Sequence, residues 1–247
     1  MTALGSQTQS ERIAELRNRM GKLLARRDDV SPARAASAAL GTEDAAAKEL
    51  PLLPGLAELP ALRAGAVHQV DNLALALALL AGPARAGDWV AVVGLPELGY
   101  LAAEEAGLRL DRTIVIPDPG ADWLSVLAEL TDLTGLVLTR PAGRLNQSQA
   151  ERFRARLRRR GSALLSCGGW PRSEANYSLR SSRWVGLGHG AGHLTARRAE
   201  IEVRRPGRPV HHCPVWLPGA DLSITPAGEL RPEQPTEATV HPLREAG

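Results

Sequence analysis

A chain of 247 residues with a 44% hydrophobic share holds enough apolar material for one sizeable α/β domain with tails, and too much for a disordered chain. Only Cys167 and Cys213 occur, in no C-x-x-C pair, which excludes a disulfide framework and a four-thiolate zinc finger and fits a reducing, cytoplasmic setting. The formal net charge of +3 conceals a block: residues 140–210 carry sixteen arginines and no lysine against four carboxylates, net +12, and so predict an acidic partner, nucleic acid or protein.

No basic segment followed by an apolar core and a small-residue cleavage site opens the sequence, so no secretory leader is expected. Residues 9–27, QSERIAELRNRMGKLLARR, put Ile13, Leu16, Met20 and Leu24 on one narrow stripe behind a Ser10 N-cap. That spacing predicts an amphipathic helix within an N-terminal region of residues 1–30, its stripe covered by the chain's own domain or by a partner. Residues 31–60, rich in Ala, Ser and Pro, predict a linker with a weak helix around 43–50.

From residue 61 to 217 strand and helix signals alternate. GAVHQV, DWVAVVG, RTIVIPD, TGLVLTR and SALLSCG are short aliphatic strands, separated by helical NLALALALLAG, YLAAEEAGL, ADWLSVLAELT and SQAERFRARLRRRG. The rhythm predicts right-handed crossovers and a mostly parallel sheet covered by helices on both faces. The run LALALALLAG is about half of the ~20 residues a membrane-spanning helix needs, so a buried helix and no membrane contact are expected. After residue 180, SRWVGLG, ARRAEIEVRR and CPVWLPG predict strands that extend the sheet with an antiparallel edge. Residues 218–247, Pro-rich and without apolar period, predict a short hairpin at most and then a disordered tail.

The stretch VAVVGLPELGYLAAEEAGL has the outline of a phosphate-binding corner: strand, G-x-x-x-x-G, helix. Its chemistry is wrong. Tyr100 and Leu101 stand where a P-loop has Lys and Ser or Thr, Pro96 lacks an amide donor, and Glu97 puts negative charge where phosphate would sit. GLPELG is therefore read as a strand-to-helix turn.

The order of elements resembles the RecA-like ATPase core over roughly residues 55–217, most closely the ImuA family of RecA-related accessory proteins. GAVHQV with its aliphatic helix matches the first core strand and helix. DWVAVVGLPELGYLAAEEAGLRLDRTIVIPDPGADWLSVLAELT matches the next strands and helices, with LRLDRTIVIPDP the most telling piece. TGLVLTR falls at the Walker B strand, RRRGSALLSCG at the following one, and SSRWVGLGHGAGHLTARRAEIEVRRPGRP at the strand pair that ends the core. Under this alignment the Walker A loop is missing, since Val70 passes through Asp71 and Asn72 directly into the helix, and Thr139 and Arg140 stand where the Mg²⁺-side acid belongs.

The resemblance implies no cofactor, no catalysis and neither ATP binding nor hydrolysis. It implies an accessory protein of an SOS-response translesion-synthesis complex that binds a Y-family polymerase homologue, ImuB, with an error-prone C-family DNA polymerase as a further partner. RecA-type chains use an N-terminal helix to pack on a neighbour, which makes Ile13, Leu16, Met20 and Leu24 the expected partner contacts and keeps self-association open. A stand-alone nucleic-acid-binding module and a SulA-like cell-division inhibitor are the alternatives.

For DNA or an acidic partner the expected contacts are Arg152, Arg154, Arg156, Arg158, Arg159 and Arg160, which leave Ala150, Phe153 and Leu157 as the apolar face of their helix, together with Arg172, Arg180 and Arg183. Trp170 and Tyr177 are the aromatic residues in the basic region that could stack on bases, and the segments PAGRLNQSQ and GGWPRSEANYSLRSS, where RecA proteins have DNA-contacting loops, are short. His189, His193, His211, His212 and Cys213 are expected at surfaces and strand edges rather than on a metal, as HGAGH lies in a turn. GLGHGAG precedes a strand pattern where a dinucleotide fingerprint needs a helix, and Ser166 and Cys167 lie in no activating motif.

Overall fold

The computed structural model describes residues 48–188 and 191–227. In chain order they form β1 (Glu49–Leu50), β2 (Leu62–Arg63), β3 (Val67–Val70), α1 (Leu73–Arg85), β4 (Val90–Val93), α2 (Tyr100–Glu105), β5 (Thr113–Ile116), α3 (Trp123–Leu133), β6 (Leu136–Thr139), α4 (Gln147–Arg160), β7 (Ala163–Ser166), β8 (Ala175–Gly188), β9 (Ala191–Arg204), β10 (His211–Trp216) and β11 (Thr225–Pro226). Short 3-10 turns cover Pro54–Leu56 and Leu110–Arg112. The N-terminal helix expected around Ile13, Leu16, Met20 and Leu24 lies outside the described residues.

Nine strands make one mixed sheet in the order β11-β10-β9-β8-β3-β7-β6-β4-β5. From β5 to β8 every neighbouring pair is parallel; β8, β9, β10 and β11 run antiparallel. The expected α/β class, with a parallel half and an antiparallel edge, is what the chain adopts. Alternation along each strand divides the core. Val70, Val90, Val92, Leu136 and Leu138 face α1 and the leucine-rich segment around Leu50–Leu62, while Val67, Ala91, Val93, Val137 and Leu164 face α3 and α4.

Helix α1 is apolar on all sides because it is covered on all sides: its residues from Leu75 to Ala84 are buried. Each fully buried leucine here, such as Leu75, Leu79 and Leu80, contributes about 1.5–3 kcal/mol. No helix among the described residues is long and apolar enough to cross a membrane.

Two expected boundaries move. Residues 48–60, placed in the linker, pack on the core: β1 pairs with β2, and Leu50, Leu53, Leu56 and Leu59, spaced three apart between prolines, are buried. Residues 49–50 are accordingly strand, where a weak helix was expected. At the other end β11 pairs with β10 through Thr225 and Pro226, the short hairpin expected after residue 218, so the sheet extends past the expected core boundary at 217. Glycine permits these two closures. A Cβ on Gly55 would lie 1.9 Å from the Ile224 carbonyl oxygen, and one on Gly82 of α1 would lie 2.2 Å from the Pro51 carbonyl oxygen.

His68 in β3 is fully buried, accepts from the Arg63 amide at 3.0 Å and meets the Tyr177 ring edge-on at 6.0 Å. Burial pushes its pKa down from 6.5 to about 4. The Tyr177 hydroxyl donates to the Pro60 carbonyl at 2.6 Å, tying the leucine-rich segment to the sheet.

Gly82→Ala is expected to lower stability by about 1–3 kcal/mol, because the new methyl meets backbone, whereas Gly169→Ala, with open space at its Cβ, should stay within about 0.5 kcal/mol; thermal unfolding followed by circular dichroism compares the two. For His68 the unfolded chain takes up a proton below pH 6.5 while the folded chain stays neutral down to about 4, so stability falls as pH drops through that window. The loss is on the order of 3 kcal/mol. Urea unfolding from pH 7 to 5 should show a steeper loss in the native chain than in His68→Gln.

Candidate functional site: a closed corner and two arginine clefts

In an open parallel sheet the ligand crevice lies beyond the carboxyl ends of the strands, where the order reverses. Here those ends are Asp71 and Asn72 after β3, Gly94 to Gly99 after β4, Arg140 after β6 and Cys167 after β7. The β3–α1 connection is two residues long. Asn72 is the N-cap of α1, its side-chain oxygen accepting from the Leu75 amide at 3.2 Å. Asp71 donates its amide to the Tyr177 carbonyl at 3.2 Å and accepts the Leu179 amide on its carboxylate at 3.0 Å.

Across the crevice the Arg140 guanidinium donates to the Glu97 carboxylate. A hydrogen bond from its own backbone amide, and then Arg140, hold the Glu97 carboxyl below the usual range. Gly94, at φ +71°, lets the loop after β4 lie against the Arg140 carbonyl, 2.8 Å from where a Cβ would stand. Burial pushes the Cys167 thiol up to about 11, against the nearby Arg140 charge, so it is no thiolate nucleophile at neutral pH. A phosphate at this edge would meet Asp71 and Glu97, and the Arg140 guanidinium there is already engaged by Glu97.

The nine arginines expected as one field are distributed over several environments. Helix α4 opens with a capping box, in which Asn146 accepts from the Gln149 amide at 2.8 Å and Gln149 accepts back from the Asn146 amide at 3.0 Å, and closes on left-handed Gly161. Its buried face is Ala150, Phe153 and Leu157, as the periodicity predicts. Arg156 grips Asp132 of α3 with both prongs, at 3.0 and 2.7 Å, and Arg160 reaches the same carboxylate at 3.0 Å. With Arg159 they line a depression of about 420 Å³. Arg152 and Arg158 are exposed on the remaining surface of the helix.

Arg154 and Arg172 point into a second cleft of about 420 Å³, shared with Arg63, Arg205, Arg208 and Glu174. Arg180 belongs to neither; it and Arg204 clamp Glu202 at 2.8 and 2.6 Å, and the two guanidiniums, Arg204 first, hold that carboxyl down to about 2. Arg183 stands opposite Arg198 on the β8–β9 hairpin. Arg63, Arg205 and Arg208 were not singled out from the sequence: Arg63 lies outside the basic block, Arg205 and Arg208 lie at its far end, and the topology of β2 and the β9–β10 turn brings them to the cleft.

Trp170 and Tyr177, expected as stacking platforms, are 4% and 0% exposed. Trp170 packs against Trp123 and Phe153, and Tyr177 belongs to β8, which takes up most of the segment GGWPRSEANYSLRSS expected as a loop. Among the described residues no group of three or more His, Cys, Asp or Glu side chains is placed to hold a metal. His212 faces Glu200 at 3.0 Å while Cys213 is buried on the opposite face of β10, and His189 lies outside the described residues.

A model of the MT3502 N-terminal domain family matches residues 52–172, from the leucine-rich segment to the loop after β7, and stops short of the β8–β9 hairpin. The chain is also 42% identical over 92 residues to the uncharacterized protein Rv3395c of Mycobacterium tuberculosis, a match that takes in 37% of this chain and 45% of that protein. The aligned stretch is under half the length of that relative.

Removing the cap should register at the corner. Asn72→Ala is expected to cost about 1 kcal/mol in urea unfolding and Asn72→Asp to cost little, because an aspartate oxygen also accepts from the Leu75 amide.

Proposed function

We propose that this chain is a non-catalytic, RecA-like accessory protein of the ImuA kind, a scaffold in an error-prone translesion-synthesis complex that binds an ImuB-type Y-family polymerase homologue. An error-prone C-family DNA polymerase would be the further partner in that assembly. The observation that carries the reading is the two-residue corner after β3. Its length leaves no loop to wrap a triphosphate, and Asn72 and Asp71 spend their side chains on the Leu75 and Leu179 amides.

The sheet order supports the RecA-like part of the reading. In dinucleotide-binding and flavodoxin-like sheets the first two core strands are neighbours, whereas here β7 and β6 stand between β3 and β4. The strand at the Walker A position and the strand at the Walker B position thus open onto one crevice with a single strand between them. Arg140 stands at the acidic position of the second and is held by Glu97. With phosphate cradle, lysine and acid all replaced, the remaining use of such a fold is its surface. The polymerase partnership itself comes from the sequence resemblance.

A second reading, a basic nucleic-acid-binding module, is favoured by the arginine-rich clefts beside α4. In the first reading the N-terminal stripe is the docking element. Replacing Leu16 and Met20 by Asp in the full chain should abolish co-purification with the ImuB-type protein, and an unchanged pull-down would remove that helix from the assembly. Calorimetry with ATP and Mg²⁺ should give no heat of binding; micromolar affinity would overturn the closed corner.

A further inference from the structure

The cleft of Arg63, Arg154, Arg172, Arg205 and Arg208 lies at the edge of the sheet opposite the Asp71 corner. Arg63 closes β2 four residues before β3, Arg172 and Glu174 precede β8, and Arg205 and Arg208 follow β9, which runs antiparallel to β8. All of these are at the amino ends of the parallel strands. Arg154 reaches in from the middle of α4.

Five guanidiniums from four separate segments share this cleft, and two carboxylates offset them only in part. Arg63 is 3.8 Å from Glu174, and Arg172 is 3.4 Å from Glu151. Arg154, Arg205 and Arg208 have no carboxylate within ion-pair distance among the described residues. This contrasts with Arg156, Arg160, Arg180 and Arg204, each of which the fold supplies with an acid. Like charges converging on a concave surface call for an anion that spans them, and guanidinium forks match phosphate oxygens two at a time.

We propose that this cleft is a binding site for clustered phosphate groups, those of a nucleic-acid backbone foremost. The lining favours phosphate over an acidic protein segment. Pro206 is its one apolar contributor, so it lacks the buried apolar anchors that carry protein–protein contacts, whereas a nucleic-acid interface is polar and strongly positive. No aromatic ring lines it, so the contact reads phosphate and not base, and is indifferent to sequence. The site does not depend on the polymerase partnership and stands if that partnership fails.

The test is fluorescence anisotropy of the full chain with a labelled oligothymidylate of about 20 nucleotides, a length that covers any single-domain site. Three phosphate contacts on a single strand predict that affinity falls about 20-fold between roughly 50 and 200 mM salt. Changing Arg154, Arg205 and Arg208 together to Gln should abolish most of that salt dependence and of the binding. The control Arg152→Gln with Arg158→Gln, exposed and lining neither cleft, should lose far less. Circular dichroism melting should show both variants folded like the native chain.

Competition identifies the source of the phosphate. Displacement by tripolyphosphate at matched phosphate concentration would assign the site to a small polyphosphate, and a need for large excess would assign it to the nucleic-acid chain; either keeps the site. Equal binding by the cleft variant and the native chain, no binding by the native chain at low salt, or displacement by polyglutamate but not by tripolyphosphate would overturn it.

Discussion

Strand β3 joins the parallel half of the sheet to the antiparallel half, pairing with β7 on one side and β8 on the other. It stops at Val70, but β8 continues, and the Leu179 amide lies beyond the reach of the β3 backbone. The Asp71 carboxylate accepts that amide, acting as one more rung of the ladder, while the Asp71 amide returns to Tyr177. Asn72 then starts α1 at once. The corner is tight because both of its side chains substitute for main-chain partners, and a longer loop there would break the strand pairing and the helix cap together. Closure of the crevice and continuity of the nine-stranded sheet are thus one constraint.

The same economy appears where the ends of the described chain meet the core. The leucine-rich segment lies against α1 through Gly82 and against the strand edge at Ile224 through Gly55, and Tyr177 holds it from below by its hydroxyl. These contacts are made to backbone at Gly55 and Gly82, in and beside a stretch whose Leu50, Leu53, Leu56, Leu59 and Leu62 are buried. Composition alone marks such a stretch as a linker. Its leucine spacing of three, seen between prolines, was the available signal, whereas the closure on Ile224 depends on a distant strand and leaves no local trace.

The parallel half was legible because each short aliphatic run is buried on both faces and each helix carries its own period; α4 presents Ala150, Phe153 and Leu157 to the core as the sequence spacing requires. The arginine surface was legible in amount but not in arrangement. Residues two apart in α4 point in different directions, so Arg154 and Arg156 enter different clefts, and Arg180 was expected to face a partner but is taken by Glu202. Conversely, Arg63 and Arg205 are far apart in sequence and come together only because β2, β3, β8 and β9 align their ends.

The two charge-biased halves of the sequence make sense once they are folded onto one sheet. The acidic stretch of residues 61–139 supplies Asp132 to Arg156 and Arg160, and Glu97 to Arg140, so these carboxylates neutralise three cations of the basic stretch. At the carboxyl-end edge Glu97 balances Arg140, and at the amino-end edge, where α3 and α4 end just before β6 and β7, Asp132 balances Arg156 and Arg160. At the amino-end edge the neighbours of Arg154, Arg205 and Arg208 come from the basic stretch itself or from Arg63, and the two glutamates present are engaged by Arg63 and Arg172. Folding therefore leaves these unpaired cations together in one cleft. An unbalanced cleft gains most from an external anion, since every counterion released there adds to the favourable free energy of binding. The closed corner lies at the carboxyl ends of the parallel strands and the arginine cleft at their amino ends, so the two are separable properties of one sheet.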